Sequence, residues 1–466
     1  MPPSGRRLLV LGLDSVPPEF LFDRFLPRMP RLKSVLDRSR FGTLLSTDPP
    51  ITVPAWAVMF TGMDPGTLGL YGFRHRRPGS YFDMYTPTPQ MLSSPPIWTI
   101  LSLLGRRVAI VGMPPGYPPP KVNGVYVSDF LTPDGAKDFV TPAALAPEIE
   151  EVSGGPINFD ITFRAEDRPR VERELFDMTR KRWAVARRLW QKEPWDLFAV
   201  HEIGPDRLHH AFWKYFDADH PHYVPGSEFA DVADRYYAQL DQEIGALLDL
   251  VPDDVSILVA SDHGSMAMHG CFCINQWLER EGYLHLKSRP TQPGTALETV
   301  DVDWDRTVAW GAGGYYARIF FNIRGREPRG HLAPSEVPDV VEKISGALAA
   351  VRRPDGQPLG VRVLDPTKVY HSVRGDPPDL MLYFGDLRWR SAGTLGHPGL
   401  FLTENDTGVD DAVHSFEGLF AFADPAHRAR QPLPPQQIIN IAPTMLAHLG
   451  VPPPAAMQGR TIAGLL

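Results

Sequence analysis

Asp14, Asp206, Asp262 and His263 each follow a short apolar run closely, in the strings VLGLD, FAVHEIGPD and LVASDH. In open α/β sheets the ligand site lies at the carboxyl ends of the strands, so if these runs are strands of one sheet, the four residues share an edge. Taken singly, a strand-end aspartate reads equally well as a cap. Together, three carboxylates with nearby histidines repel one another or stay unsatisfied unless cations join them. His210 follows Asp206 by four residues in PDRLHH, so on a helix starting near Pro205 both side chains project from one face. Such a pair can grip one cation. His209, at i+3, competes for that place and also reads as a packing residue. Nitrogen and oxygen ligands of this kind suit zinc first, with manganese or iron as alternatives.

Thr52 stands two residues before Pro54 in ITVPAWAVMFTGMDPG, at the head of an apolar helical segment. Proline is favoured in the first turn, where its missing N–H costs nothing, so Thr52 sits near the cap. Read alone it is a cap. Beside a metal centre the same hydroxyl becomes a nucleophile, at a helix end whose free N–H groups and dipole favour a phosphate.

The elements that must carry these groups are legible as alternation. Aliphatic runs at 7–13, 107–112, 196–201 and 255–261 are each followed by a turn and a helical segment; the clearest helices fall at 54–62, 167–192, 227–250 and 437–449. That order predicts a mostly parallel sheet with helices on both faces. From 271 to 400 the texture changes to strands such as 315–323 and 379–384, one helix near 334–351, and many Gly/Pro turns. We read 271–400 as an inserted α+β cap on a catalytic domain made of 1–270 and 401–466, the sheet resuming at 414–425.

At 466 residues the chain is long enough for one large domain with an added lobe. A net charge of −8 gives no overall attraction for a nucleic acid polymer or an acidic membrane face. The partner expected is a small phosphorylated molecule, drawn by local charge. Cys271 and Cys273 are the only cysteines, too close together to bridge without strain, so no disulfide framework exists and a reducing, cytoplasmic setting is expected. Asp14 ends the first apolar run after so few residues that it reads as a strand and not a signal peptide. The 49 prolines, clustered in loops such as MPPGYPPP (113–120), are read as stiffened connections.

With these motifs in hand, the chain resembles the type I phosphodiesterase/nucleotide pyrophosphatase family of the alkaline phosphatase superfamily. Asp14 closing the first strand, Thr52 in T-x-P, Asp206 and His210 in D-x-x-x-H, Asp262 and His263 in S-D-H-G, and His414 in H-x-x-x-G follow the family's order. The strings TG and DPG after Thr52, and APTMLAHLG near the end, add to it. The resemblance implies an alkaline-phosphatase-like α/β fold and two divalent ions, most simply Zn2+. One would be held by Asp206, His210 and His414, the other by Asp14, Asp262 and His263 with the Thr52 oxygen, at a separation of about 3.5–4 Å. It also implies cleavage of a phosphodiester or phosphoanhydride through a covalent phosphothreonine, with a nucleotide or nucleotide conjugate as one substrate class. His397, in LGHPG, is the rival for the place of His414.

The chain departs from the family in one place. Where the family's nucleotide pyrophosphatases often carry an asparagine, 21 residues after the nucleophile, this chain has Phe73. The basic string Arg74, His75, Arg76 and Arg77 is the candidate substitute for phosphate binding, and equally a solvated turn. Phe73, Trp56 and Tyr71 are candidate walls for a second ester substituent, which favours a diesterase over a phosphomonoesterase or phosphomutase. A sulfatase is excluded by Thr52 and Trp56 standing where its formylglycine precursor and arginine belong. A non-catalytic metal-binding protein is the reading from outside the enzyme class, and retention of all six ligand types speaks against it.

Overall fold

The computed structural model describes residues 5–427 and 429–466. Its centre is a ten-stranded sheet in which Arg7–Leu13 lies between Leu197–Glu202 and Val255–Ala260, parallel to both. Val108–Val111 and then Gly124–Val127 continue the parallel run beyond Leu197–Glu202. Side chains alternate along the strands, as a pleated sheet demands. Leu9, Leu11 and Leu13 enter one buried layer, under the helices Arg168–Trp190 and Val232–Leu248. Leu8 and Val10 enter the other, with the helices Thr52–Thr61 and Ile441–His448. The fold is thus α/β with both faces covered.

The sheet is parallel through its centre, as expected, but mixed as a whole, with antiparallel strands joining it on both sides. Glu417–Ala423 runs antiparallel to Val255–Ala260 and to Arg40–Leu45, and Val140–Thr141 closes the far edge antiparallel to Gly124–Val127. The cause is the way the chain returns. After Val255–Ala260 it leaves the sheet through the strand Gly264–Ala267 and comes back through Ala412–Ser415, which pairs antiparallel with that exit strand. The return is set by this antiparallel ribbon and not by a βαβ crossover, so the returning strand is reversed. The stretch 414–425, where the sheet was expected to resume, holds the end of one strand and the whole of a second, separated at Phe416.

Between exit and return the chain builds a second sheet of seven strands, from Gly270–Cys273 to Phe401–Leu402, mostly antiparallel and with its own apolar core around Phe272, Trp310, Phe321 and Leu382. The helix Val337–Ala349 packs against that core through Ile344 and Leu348. The final helix is shorter than the sequence pattern indicates, because Ile438–Asn440 forms a 3-10 turn before Ile441–His448. Both cysteines are free and buried. Among the described residues no helix is long and apolar enough to cross a membrane.

Candidate metal centre

Parallel register brings the strand ends to one edge. Leu13 pairs with Glu202 and Gly12 with Ala260, so Asp14, Asp262 and the turn leading to Asp206 emerge side by side. Asp206 and His210 share the helix Gly204–Phe216, whose start packs so tightly that a Cβ on Gly204 would lie 1.8 Å from the Tyr236 hydroxyl. His414 comes from the exit–return ribbon, opposite Ser265. Thr52 is the first residue of its helix, after Ile51 in extended conformation, and Gly62 ends that helix in the left-handed region.

Two groups of ligand atoms result: Asp206, His210 and His414, and Asp14, Asp262 and His263, each within a span of 4.8 Å. All six side chains are buried. Each has one polar atom held by the protein and one aimed at its group. His210 Nδ1 lies 2.6 Å from Asp410 Oδ1, His414 Nδ1 2.9 Å from the Pro50 carbonyl, and His263 Nδ1 3.0 Å from the Gly264 carbonyl, leaving three Nε2 atoms facing inward. Asp14 Oδ2 accepts from Trp56 Nε1 at 2.8 Å and pairs with His201 Nε2 at 2.7 Å; Asp206 Oδ2 accepts from Arg207 at 2.6 Å; Asp262 Oδ1 accepts from the Ser15 N–H at 3.3 Å. The other oxygens, Asp14 Oδ1, Asp206 Oδ1 and Asp262 Oδ2, are buried with no hydrogen-bond partner.

Buried carboxylate oxygens without partners are costly, and their convergence on imidazole nitrogens is what a cation site requires. The first group fits closely. Its edges are 3.2 Å between the two Nε2 atoms and 3.3 and 3.4 Å from Asp206 Oδ1 to each of them. Bonds of about 2.0–2.1 Å to a tetrahedral zinc give edges of about 3.3–3.4 Å. The second group is wider: His263 Nε2 is 3.2 Å from Asp262 Oδ2 and 3.7 Å from Asp14 Oδ1, with Thr52 Oγ1 3.2 Å from the same nitrogen.

Without cations, protons do the balancing. Burial, reinforced by the charge of Asp206, pushes Asp14 up to about 7, and burial with Asp14 nearby drives Asp262 well above the usual carboxylate range. Burial holds His263 down to about 3. Burial also opposes the charge on His210, but Asp410, Tyr315 and Asp206 outweigh it and lift that imidazole to about 10. His210 thus carries a proton that a cation at its Nε2 would displace, while Asp410 stays charged at its Nδ1.

Several expectations need correction or sharpening. Trp56 does not line the substrate cavity; it is fully buried, and its indole N–H holds Asp14. The i, i+4 spacing from Thr52 turns it toward the same sheet edge, where Gly12 leaves room for the ring. His209 is a satisfied core residue between Ser265 Oγ and the Tyr237 hydroxyl, each at 3.0 Å. His397 contacts Thr394 and Gln276, away from both groups. In the basic string, Arg76 is buried in ion pairs with Glu327 and Asp376, and His75 Nε2 accepts the Tyr71 N–H. Arg74 and Phe73 do line the cavity beside the site, a space of about 720 Å³ that Ile51, Arg207 and Tyr315 connect to the metal-group residues. The sequence reading missed His201, Arg207, Asp410 and Tyr315. His201 and Asp410 left a trace, being polar residues within or beside buried strands.

The architecture is that of alkaline-phosphatase-like enzymes. The structure of phosphonoacetate hydrolase from Sinorhizobium meliloti 1021, in complex with phosphonoformate, aligns with a TM-score of 0.60 at 17% identity over 96% of both chains. Murine ectonucleotide pyrophosphatase/phosphodiesterase 5 aligns with a TM-score of 0.58 at 12% identity over 98% of both. An inactive variant of the murine protein, in complex with AMP, gives a TM-score of 0.56 at 12% identity, over 98% of this chain and 97% of that one. At such identities the likeness is one of fold. No curated protein matches by sequence. Residues 8–413, however, match the family model for type I phosphodiesterase/nucleotide pyrophosphatase, and the chain belongs to that family. Membership and fold together support a phosphoester hydrolase.

Proposed function

We propose that the chain is a two-metal hydrolase of phosphodiesters or phosphoanhydrides in which Thr52 is the nucleophile. The observation that carries this reading is the convergence of three partnerless carboxylate oxygens with three inward-facing imidazole nitrogens, one of them 3.2 Å from Thr52 Oγ1. Asp206, His210 and His414 would hold one ion; Asp14, Asp262 and His263, with Thr52 Oγ1, the other. When bound, such ions supply positive charge at the attacked phosphoryl group and favour the ionised threonine hydroxyl. Thr52 Oγ1 forms the new bond to phosphorus while the bond to the leaving oxygen breaks, giving a phosphothreonine ester. Water then cleaves that ester, restoring the hydroxyl and releasing the phosphorylated product.

The helix N-terminus at Thr52 presents N–H groups without intrahelical partners to the phosphate. The aromatic walls of the cavity, Phe73, Phe130, Phe163 and Tyr315 among them, suit a second ester substituent and favour a diester over a monoester. The rings of AMP, which the murine relative binds, are of the size and character such walls accept.

Initial rates on bis(p-nitrophenyl) phosphate should exceed those on p-nitrophenyl phosphate. Thr52→Ala should keep its metals and lose on the order of 10³-fold or more in turnover, with Thr52→Ser retaining part of it. Acid quench during turnover of a phosphorus-labelled diester should leave label on the Thr52 peptide. Near-normal rates in the alanine variant with both metals bound would reduce Thr52 to a helix cap.

A further inference from the structure

Phe73 stands where the resemblance implies a phosphate-binding asparagine, and the second sheet delivers a hydroxyl to the same side of the site. Tyr315 belongs to the turn Gly313–Gly314–Tyr315 that precedes the strand Ala317–Phe321. The turn lies flat against the strand Trp389–Ala392: a Cβ on Gly313 would meet the Ser391 carbonyl at 2.6 Å and the Gly393 nitrogen at 2.5 Å. Only glycine permits that approach, and it brings the Tyr315 ring over His414, centroids 3.9 Å apart and planes inclined at 28°. The Phe73 ring is 6.3 Å away on the cavity side.

The phenol oxygen is held in place at the first metal group. It is 3.1 Å from His210 Nε2, about one edge of the ligand polyhedron, and it accepts an N–H from Arg164 Nη2 at 2.9 Å. Arg390 lies over the ring, 4.3 Å from its centroid. Both arginines are anchored on Asp410 Oδ2, at 2.7 and 2.8 Å, and the other oxygen of Asp410 holds His210. One buried carboxylate therefore fixes both the histidine and the two guanidinium groups that fix the tyrosine. Such a framework is far more than a cavity wall needs.

We propose that Tyr315 is a catalytic residue whose hydroxyl donates to a non-bridging phosphoryl oxygen of the substrate, in the role vacated at position 73. This rests on the hydrolase reading above. Once His210 Nε2 faces a cation it accepts no proton from Tyr315. With Arg164 occupying an oxygen lone pair, the hydroxyl hydrogen would be left free for a phosphoryl oxygen brought to this group. A guanidinium donating to the phenol oxygen strengthens the phenol as a donor in turn. The hydroxyl changes no bond of its own; it stabilises charge on the phosphoryl oxygens as Thr52 attacks.

The test is the Tyr315→Phe variant, which removes one oxygen and keeps the ring. Metal content by elemental analysis and orthophosphate affinity by calorimetry are read on the metal-loaded variant and parent. The variant should keep the parent's metal content and melting temperature, while phosphate binds about 10–100-fold more weakly, as for loss of one hydrogen bond to a charged group. Unchanged phosphate affinity would overturn the proposal and leave Tyr315 a wall. Loss of one metal would also overturn it, making the phenol a ligand. A parent protein that binds neither metal nor phosphate would instead defeat the hydrolase reading itself.

Discussion

Replacing Asp410 by asparagine probes the first metal group without touching any of its three ligand side chains. Asp410 is fully buried and serves three cationic partners: His210 Nδ1 at 2.6 Å, Arg164 Nε at 2.7 Å and Arg390 at 2.8 Å. Those partners hold its carboxyl well below the usual range although burial alone would raise it. Asparagine keeps the shape and one acceptor but removes the charge. Losing the partner that orients a metal-binding histidine weakens metal affinity about 10–100-fold, or about 1.4–2.8 kcal/mol. The guanidinium groups left without their carboxylate should lower folding stability by about 3–5 kcal/mol, the range for a broken buried pair. Chelator competition on the refolded variant should therefore show one ion leaving about 10–100-fold more easily while the other is held as before. Among the described residues no hydrogen bond or ion pair joins Asp410 directly to the second group, around Asp14, so the larger loss should fall on the first ion. If both ions weaken together, or neither does, the assignment of Asp410 to His210 and its ion is refuted.

Two further outcomes follow from the same geometry. Trp56→Phe removes the N–H that Asp14 Oδ2 accepts while His201 still holds that oxygen, so the ion beside Thr52 should bind up to about tenfold more weakly, read in the same competition assay; a rise in KM with unchanged metal affinity would restore Trp56 to the substrate wall. Metal affinity should climb with pH: the metal-free site is protonated at Asp14 below about 7 and at His210 below about 10, and ligands must shed those protons to bind, so affinity rises through pH 7 and on toward 10. A flat affinity between pH 6 and 9 in calorimetric titrations would contradict the proton balance.

The parts of the site that were legible in the sequence are those encoded locally. Asp14, Asp262 and His263 follow their strands at once, and Asp206 with His210 needs only the helical repeat. His414, more than 150 residues beyond His263, was reached through family resemblance alone, because its place depends on an antiparallel ribbon formed after a long excursion. That ribbon also reversed the returning strand, which a pattern of apolar runs does not reveal. Asp410, Arg207 and Tyr315 matter through what they touch in three dimensions, and no spacing announces it. Trp56 shows the converse: its position was right, but an aromatic side chain four residues from a nucleophile can face substrate or a ligand's back, and only packing against Gly12 decides.

Whether two ions join these six side chains is read from elemental analysis of purified protein together with hydrolysis of bis(p-nitrophenyl) phosphate before and after chelation. Purified protein should hold close to two transition-metal ions per chain, lose hydrolysis on their removal, and regain it when zinc or manganese is added back. Full activity in protein shown to be metal-free would contradict the two-ion reading.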